Sequence, residues 1–149
     1  MMKLTSSSFD RDAPIPAKYT GEGADVSPAL AWSGAPSGTK ELALVCDDPD
    51  APRPTPWVHW VLAKIPATTT SFAEGVTGIG VEGVNDFGRN GYGGPLPPKG
   101  HGTHHYHFKL YALDVPVDAR MGLTKDELLA AMKGHVVAEA EIVGTYERT

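Results

Sequence analysis

At 149 residues, with 41% hydrophobic and 21% charged side chains, the chain has the length and balance of one globular domain covering 1–149, neither disordered nor coiled-coil in character. A net charge of -5 with 13 scattered Lys and Arg argues against a nucleic-acid partner and against stable association with a membrane surface. The opening MMKLTSSSFD turns polar too soon for a signal peptide, no apolar run is long enough to span a bilayer, and the lone Cys46 cannot form an internal disulfide, so a cytoplasmic protein is expected.

The first forty residues are rich in turn formers and show no helical period. Phe9, Ile15 and Tyr19 are placed to anchor loops there, and Leu30 with Trp32 to bury one side of a short strand. The run ELALVCDD at 41–48 is continuous and apolar, as a strand covered on both faces should be, and Pro49 ends it. Four prolines in PDAPRPTP allow no regular element. WVHWVLAKIP at 57–66 predicts a second buried strand, with Trp57, His59 and Val61 on one face and Val58, Trp60 and Leu62 on the other.

From Thr68 to Lys99 glycine leaves room only for short extended pieces, and a loop this long in a compact domain is usually functional. THHYHFKLYALDVPV alternates: His104, Tyr106, Phe108, Leu110 and Ala112 share one parity and His105, His107, Lys109 and Tyr111 the other. Thr124 and Glu127 form a capping box for the one convincing helix, which Gly134 either ends or interrupts. AEAEIVGTYERT reads as a closing strand. Strands, long loops and one short helix predict an all-β sandwich rather than a parallel α/β sheet.

Three places gather side chains able to carry chemistry. Asp47, Asp48 and Asp50 surround a proline-stiffened turn, where carboxylates accept local amides and preorganise a loop. His59, between Trp57 and Trp60, is either a core histidine with one satisfied bond or a site residue. The cluster of His101, His104, His105 and His107 includes a same-side pair, His105 and His107, that could ligate zinc, although no third ligand in register supports a metal. His101 and His135 lie outside the alternating strand and are assigned no role. No serine sits in a GxSxG elbow, Cys46 belongs to a core strand, and GRNGYGGPLPPKG lacks phosphate-loop spacing, so neither a nucleophile nor a cofactor is expected.

DPDAP at 48–52, WVHW at 57–60 and GGPLPPKGHGTHHYHF at 93–108, in that order, resemble the phosphatidylethanolamine-binding protein family, in particular its compact bacterial and archaeal branch of Raf kinase inhibitor-like proteins. The resemblance implies a β-sandwich with short peripheral helices and a small cavity accepting a phosphate, a carboxylate or a phosphorylated head group. It assigns Asp48, Asp50, His59, His104 and Tyr106 to ligand binding, with Pro95 shaping the mouth. The family often has Arg where His105 stands, so loss of a fixed charge is expected to weaken anion binding or make it pH-dependent. A cis peptide near the pocket is also a family trait, with Arg53–Pro54 and Thr55–Pro56 as the candidate bonds. The reading is a binding or regulatory protein rather than an enzyme, with a kinase or protease as a permitted partner and a homodimer left open. The alternatives are a small hydrolase or isomerase using His59 and His104, and an inhibitor acting through surface loops.

Overall fold

A computed structural model describes all residues from Met1 to Thr149. Two antiparallel sheets carry the chain. Strands β1 (Lys3–Thr5), β2 (Leu30–Ser33) and β5 (Ser71–Phe72) form a small sheet in the order β1-β2-β5. Strands β3 (Glu41–Asp48), β4 (Trp57–Pro66), β6 (Val81–Glu82), β7 (His104–Leu113) and β8 (Val136–Tyr146) form the large one in the order β6-β4-β3-β7-β8. A single 3-10 turn at Ala17–Tyr19 and one helix, α1 (Lys125–Met132), complete the fold, a β-sandwich with short peripheral helices.

The large sheet is apolar on both sides because each side has its own cover. Leu42, Leu44, Trp60, Leu62, Phe108 and Leu110 face the small sheet and pack with Leu4, Leu30, Trp32 and Phe72. Ala43, Val45, Val61, Ala63 and Leu113 face the opposite way and are covered by Leu123, Leu128 and Met132. This double cover accounts for the unbroken apolar run of β3, whereas β7 alternates because part of its outer face is open. Burying one such aliphatic side chain stabilises the fold by roughly 1.5–3 kcal/mol. Thr124 accepts from the Glu127 amide while Glu127 returns a bond to the Thr124 amide, so the capping box starts α1 where the sequence places it. Gly134 takes φ of 84° and ends the helix, and GHVVAEA enters β8 instead of prolonging α1.

The face assignment expected for β4 does not hold. Cys46 pairs with Trp60 and Asp47 with Val58, so the register shifts across His59. This bulge breaks strict alternation: Val61 joins Val58 on the helix side, while His59 leaves that face for the sandwich end. A second shift near Ala63 is turned by Lys64 at φ of 55°. His59 and His104 stand on strands separated by β3, which runs between β4 and β7. Every peptide bond in the chain is trans, including Arg53–Pro54 and Thr55–Pro56.

Candidate functional site

β3 pairs with β7 only as far as Asp47 opposite His107. Beyond that point the backbone turns away, and the side chains of β4 and β7 meet over the end of β3. Asp48 forms the hinge of this arrangement. Its Oδ1 accepts from the Asp50 amide at 2.8 Å, an Asx turn that fixes the DPDAP segment. Its Oδ2 accepts from Nδ1 of His104 at 2.6 Å, and both side chains are almost wholly buried.

His59 is held by a reciprocal clamp. Its Nδ1–H donates to the Gly93 carbonyl at 2.7 Å, and the Gly93 amide donates to the His59 carbonyl at 2.8 Å. The neutral ring therefore keeps Nε2 as an acceptor. Burial is the main influence on this imidazole and moves its pKa below the usual histidine value, against the smaller opposing pull of Gly93 and Asp48. Tyr106 packs edge-on against His59 with ring centroids 5.1 Å apart, and burial pushes its phenol far above the ordinary tyrosine range. It is a fixed neutral donor at any physiological pH.

These groups floor a cavity of about 330 Å³. Asp48, His59, His104 and Tyr106 supply its polar atoms, and Trp57, Phe87, Ala51, Pro52, Leu96, Pro97 and Pro98 supply apolar walls. Trp57 Nε1 and the Tyr106 hydroxyl are both buried and have no hydrogen-bond partner within the protein. A buried donor left so costs about 1–3 kcal/mol. Both belong to cavity-lining residues.

Four of the six residues assigned from the sequence thus come together, and two do not. Asp50 lies outside the cavity, where its carboxylate accepts from both the amide and Nδ1 of His105 at 2.8 Å. Burial opposes its ionisation, but the His105 bonds outweigh burial and hold the Asp50 carboxyl below the usual aspartate value. Pro95 is buried behind the wall and accepts from the Gly21 amide; the mouth is shaped by Leu96, Pro97 and Pro98 instead. His105 has the opposite parity to His104 and faces away from the cavity, so an imidazole at this position acts on the Asp50 turn rather than on a ligand directly. His105 and His107, the pair considered for zinc, are engaged by two separate carboxylates, Asp50 and Glu141.

Two residues escaped the sequence reading. Phe87 stacks edge-on against both Trp57 and His59, at 5.4 and 5.5 Å. It is presented by buried Asn85, whose Oδ1 accepts the amides of Phe87 and Arg89 while Nδ2 donates to Gly91. Asn before an aromatic in a glycine-rich loop was the available signal. His101 places Nδ1 at 2.7 Å from Nε2 of His104, extending a chain of Asp48, His104 and His101 from the buried floor to the surface. Its spacing to His104 gave no hint, because the two lie on different backbone elements.

No Lys or Arg lines the cavity. Arg53 is paired with Asp86 and stacked on the Trp57 ring at 4.6 Å, and Arg89 pairs with Asp25 at 3.5 Å. The molecule is thus a sandwich with one end opened into a small cavity, apolar in its walls and polar in its floor. Comparison with known proteins places that combination: residues 5–147 match the family described as phosphatidylethanolamine-binding protein, and the chain belongs to this family. It is 45% identical to a UPF0098 protein of Methanothermobacter thermautotrophicus, with 99% of each chain covered. A Chlamydia trachomatis structure described as a phosphatidylethanolamine-binding protein homologue superposes with a TM-score of 0.93 at 41% identity, covering 99% of this chain and 98% of the other. Escherichia coli YbcL, described as a member of the mammalian family, gives a TM-score of 0.93 at 34% identity, with 99% of both chains covered.

Proposed function

We propose that the protein binds a small ligand whose phosphoryl or carboxylate head seats on the polar floor and whose apolar part rests against the cavity walls, and that a regulatory effect on a kinase or protease would act through this site. One observation carries the reading: two buried donors, Trp57 Nε1 and Tyr106 OH, lack partners in the protein and belong to residues lining one cavity. Family membership supports the coarser statement of a ligand-binding or anion-binding role. The walls add a size argument, since a bare phosphate would fill only a fraction of about 330 Å³ and leave aromatic surface uncovered.

With no Lys or Arg in the lining, positive charge can enter only on an imidazole, and burial holds the His59 imidazole below the usual histidine value. Binding of a phosphorylated head should therefore weaken as pH rises through the histidine range. Histidine-resolved NMR titrations test this on the native protein and on a His59→Ala, His104→Ala double variant, with phosphate, phosphorylethanolamine, O-phosphoserine and zinc added separately. Saturable shifts of both histidines with the phosphorylated compounds, lost in the double variant, are expected. Affinity that stays flat between about pH 5.5 and 8 would remove the protonation argument, and shifts with zinc alone would replace the anion reading by a metal one.

A further inference from the structure

Both ring nitrogens of the cavity-lining His104 are already occupied. Nδ1 is committed to Asp48, so Nε2 is the only remaining polar atom of that ring, and His101 Nδ1 holds it at 2.7 Å. His101 itself is exposed, although its partner is buried. Its rings meet those of His104 tilted by 58°, with centroids 4.9 Å apart, leaving no layer for a ligand between them.

The backbone around His101 suits a removable group. Gly100 and Gly102 flank it with φ of 72° and 90°, and an added Cβ at either would meet nothing within 4 Å. The segment is nevertheless anchored on both sides of this tip. The Gly100 amide donates to the Arg148 carbonyl at 2.9 Å, and Arg148 Nη1 donates to the Pro97 carbonyl at 3.2 Å. Leu96, Pro97 and Pro98 thus stay in place as a wall while the imidazole can swing into solvent.

We propose that His101 is a specificity-determining residue that occupies the place of the ligand head on His104. A head enters the cavity by replacing one hydrogen bond, so the site discriminates by acceptor strength. Because Nδ1–H is given to Asp48, Nε2 can meet an anionic oxygen only as a second N–H. The oxygen therefore displaces His101 together with uptake of one proton by His104, and the charge-assisted bond it then accepts is the stronger one. A neutral hydroxyl or ester oxygen does not, and remains in the apolar outer part of the cavity. This rests on the ligand-binding reading given above.

The test compares the wild type with His101→Ala and His101→Gln, titrated with phosphorylethanolamine and, separately, with ethanolamine, by calorimetry and by imidazole ¹⁵N NMR. Losing one competing hydrogen bond of about 1 kcal/mol should tighten phosphorylethanolamine binding about fivefold in His101→Ala and less in His101→Gln. In the wild type, saturation should move the His101 nitrogens to the positions of a free imidazole while His104 keeps its Asp48 bond. Equal or weaker binding in His101→Ala, with His101 still bonded to His104 at saturation, overturns the proposal and leaves the cavity reading intact. Absence of binding in all three proteins, with their spectra showing intact folds, overturns the cavity reading and this proposal with it.

Discussion

Asp47 and Asp48 are neighbours at the end of β3, both almost wholly buried, and they serve opposite ends. Asp47 points to the helix side, where Lys125 on α1 reaches it at 2.7 Å and Lys109 on β7 at 3.8 Å. Asp48 points to the sandwich end, where it accepts from an imidazole and a backbone amide. Two buried carboxylates need partners for the same dielectric reason. The first is neutralised by fixed cations from two elements and so ties a helix to the sheet. The second is met by an imidazole and a backbone amide and so fixes the floor of the cavity. One strand end thus separates holding from binding by the alternation of its side chains.

The comparison is broken most sharply by substituting each in turn. Asp47→Ala should cost about 2–3 kcal/mol of stability, near the lower bound for a broken buried pair because both lysines can reach solvent, while ligand affinity stays within about twofold. Asp48→Asn should cost only about 1 kcal/mol yet lower affinity at least tenfold. Urea unfolding and calorimetry on the two variants decide; equal profiles would abolish the distinction. Tyr106→Phe sharpens it further: removing an unpartnered hydroxyl should leave stability unchanged or raised by up to about 1 kcal/mol, and lower affinity about fivefold.

A smaller effect is expected from pH. The folded pKa of His59 is depressed by burial, so its contribution is fully present above the unfolded value, near 6.5, and is lost as pH falls through the folded one, because the unfolded chain takes up a proton that the folded chain refuses. Denaturation midpoints of the wild type should fall more steeply on acidification than those of His59→Asn; parallel curves would place the acid sensitivity elsewhere. Least of all, His105→Ala should change stability by under about 0.5 kcal/mol, as expected for an exposed pair, while NMR shows the Asp50 carboxyl rising toward its ordinary value.

Much of this was legible from local chemistry. β3 and β7 could be read because one is a closed apolar run and the other alternates, and α1 because its capping box is a side-chain pattern. The small sheet was less visible: β1 and β5 are held by pairing with β2, and strands of two or three residues carry no period. The faces of β4 were misread because a bulge inserts one residue into the count, and that residue is His59. Asp48, His59, His104 and Tyr106 could be found because all four sit on strands within the contiguous motifs that carry the family resemblance, and the resemblance gives them their role. Phe87 and His101 were harder to find, since each reaches the site from a glycine-containing loop: Phe87 is set by the nearby Asn85, a weak local signal, and the loop of His101 by the distant Arg148 carbonyl.

Of the three tryptophans in the chain, Trp32 and Trp60 are locked in the central core, whereas Trp57 borders the cavity under the Arg53 guanidinium. Emission from this third indole should therefore respond to occupancy while the other two provide a constant background, giving the protein an intrinsic optical readout of its own cavity that needs no label and isolates cleanly in a Trp32→Phe, Trp60→Phe background if that core tolerates the exchange.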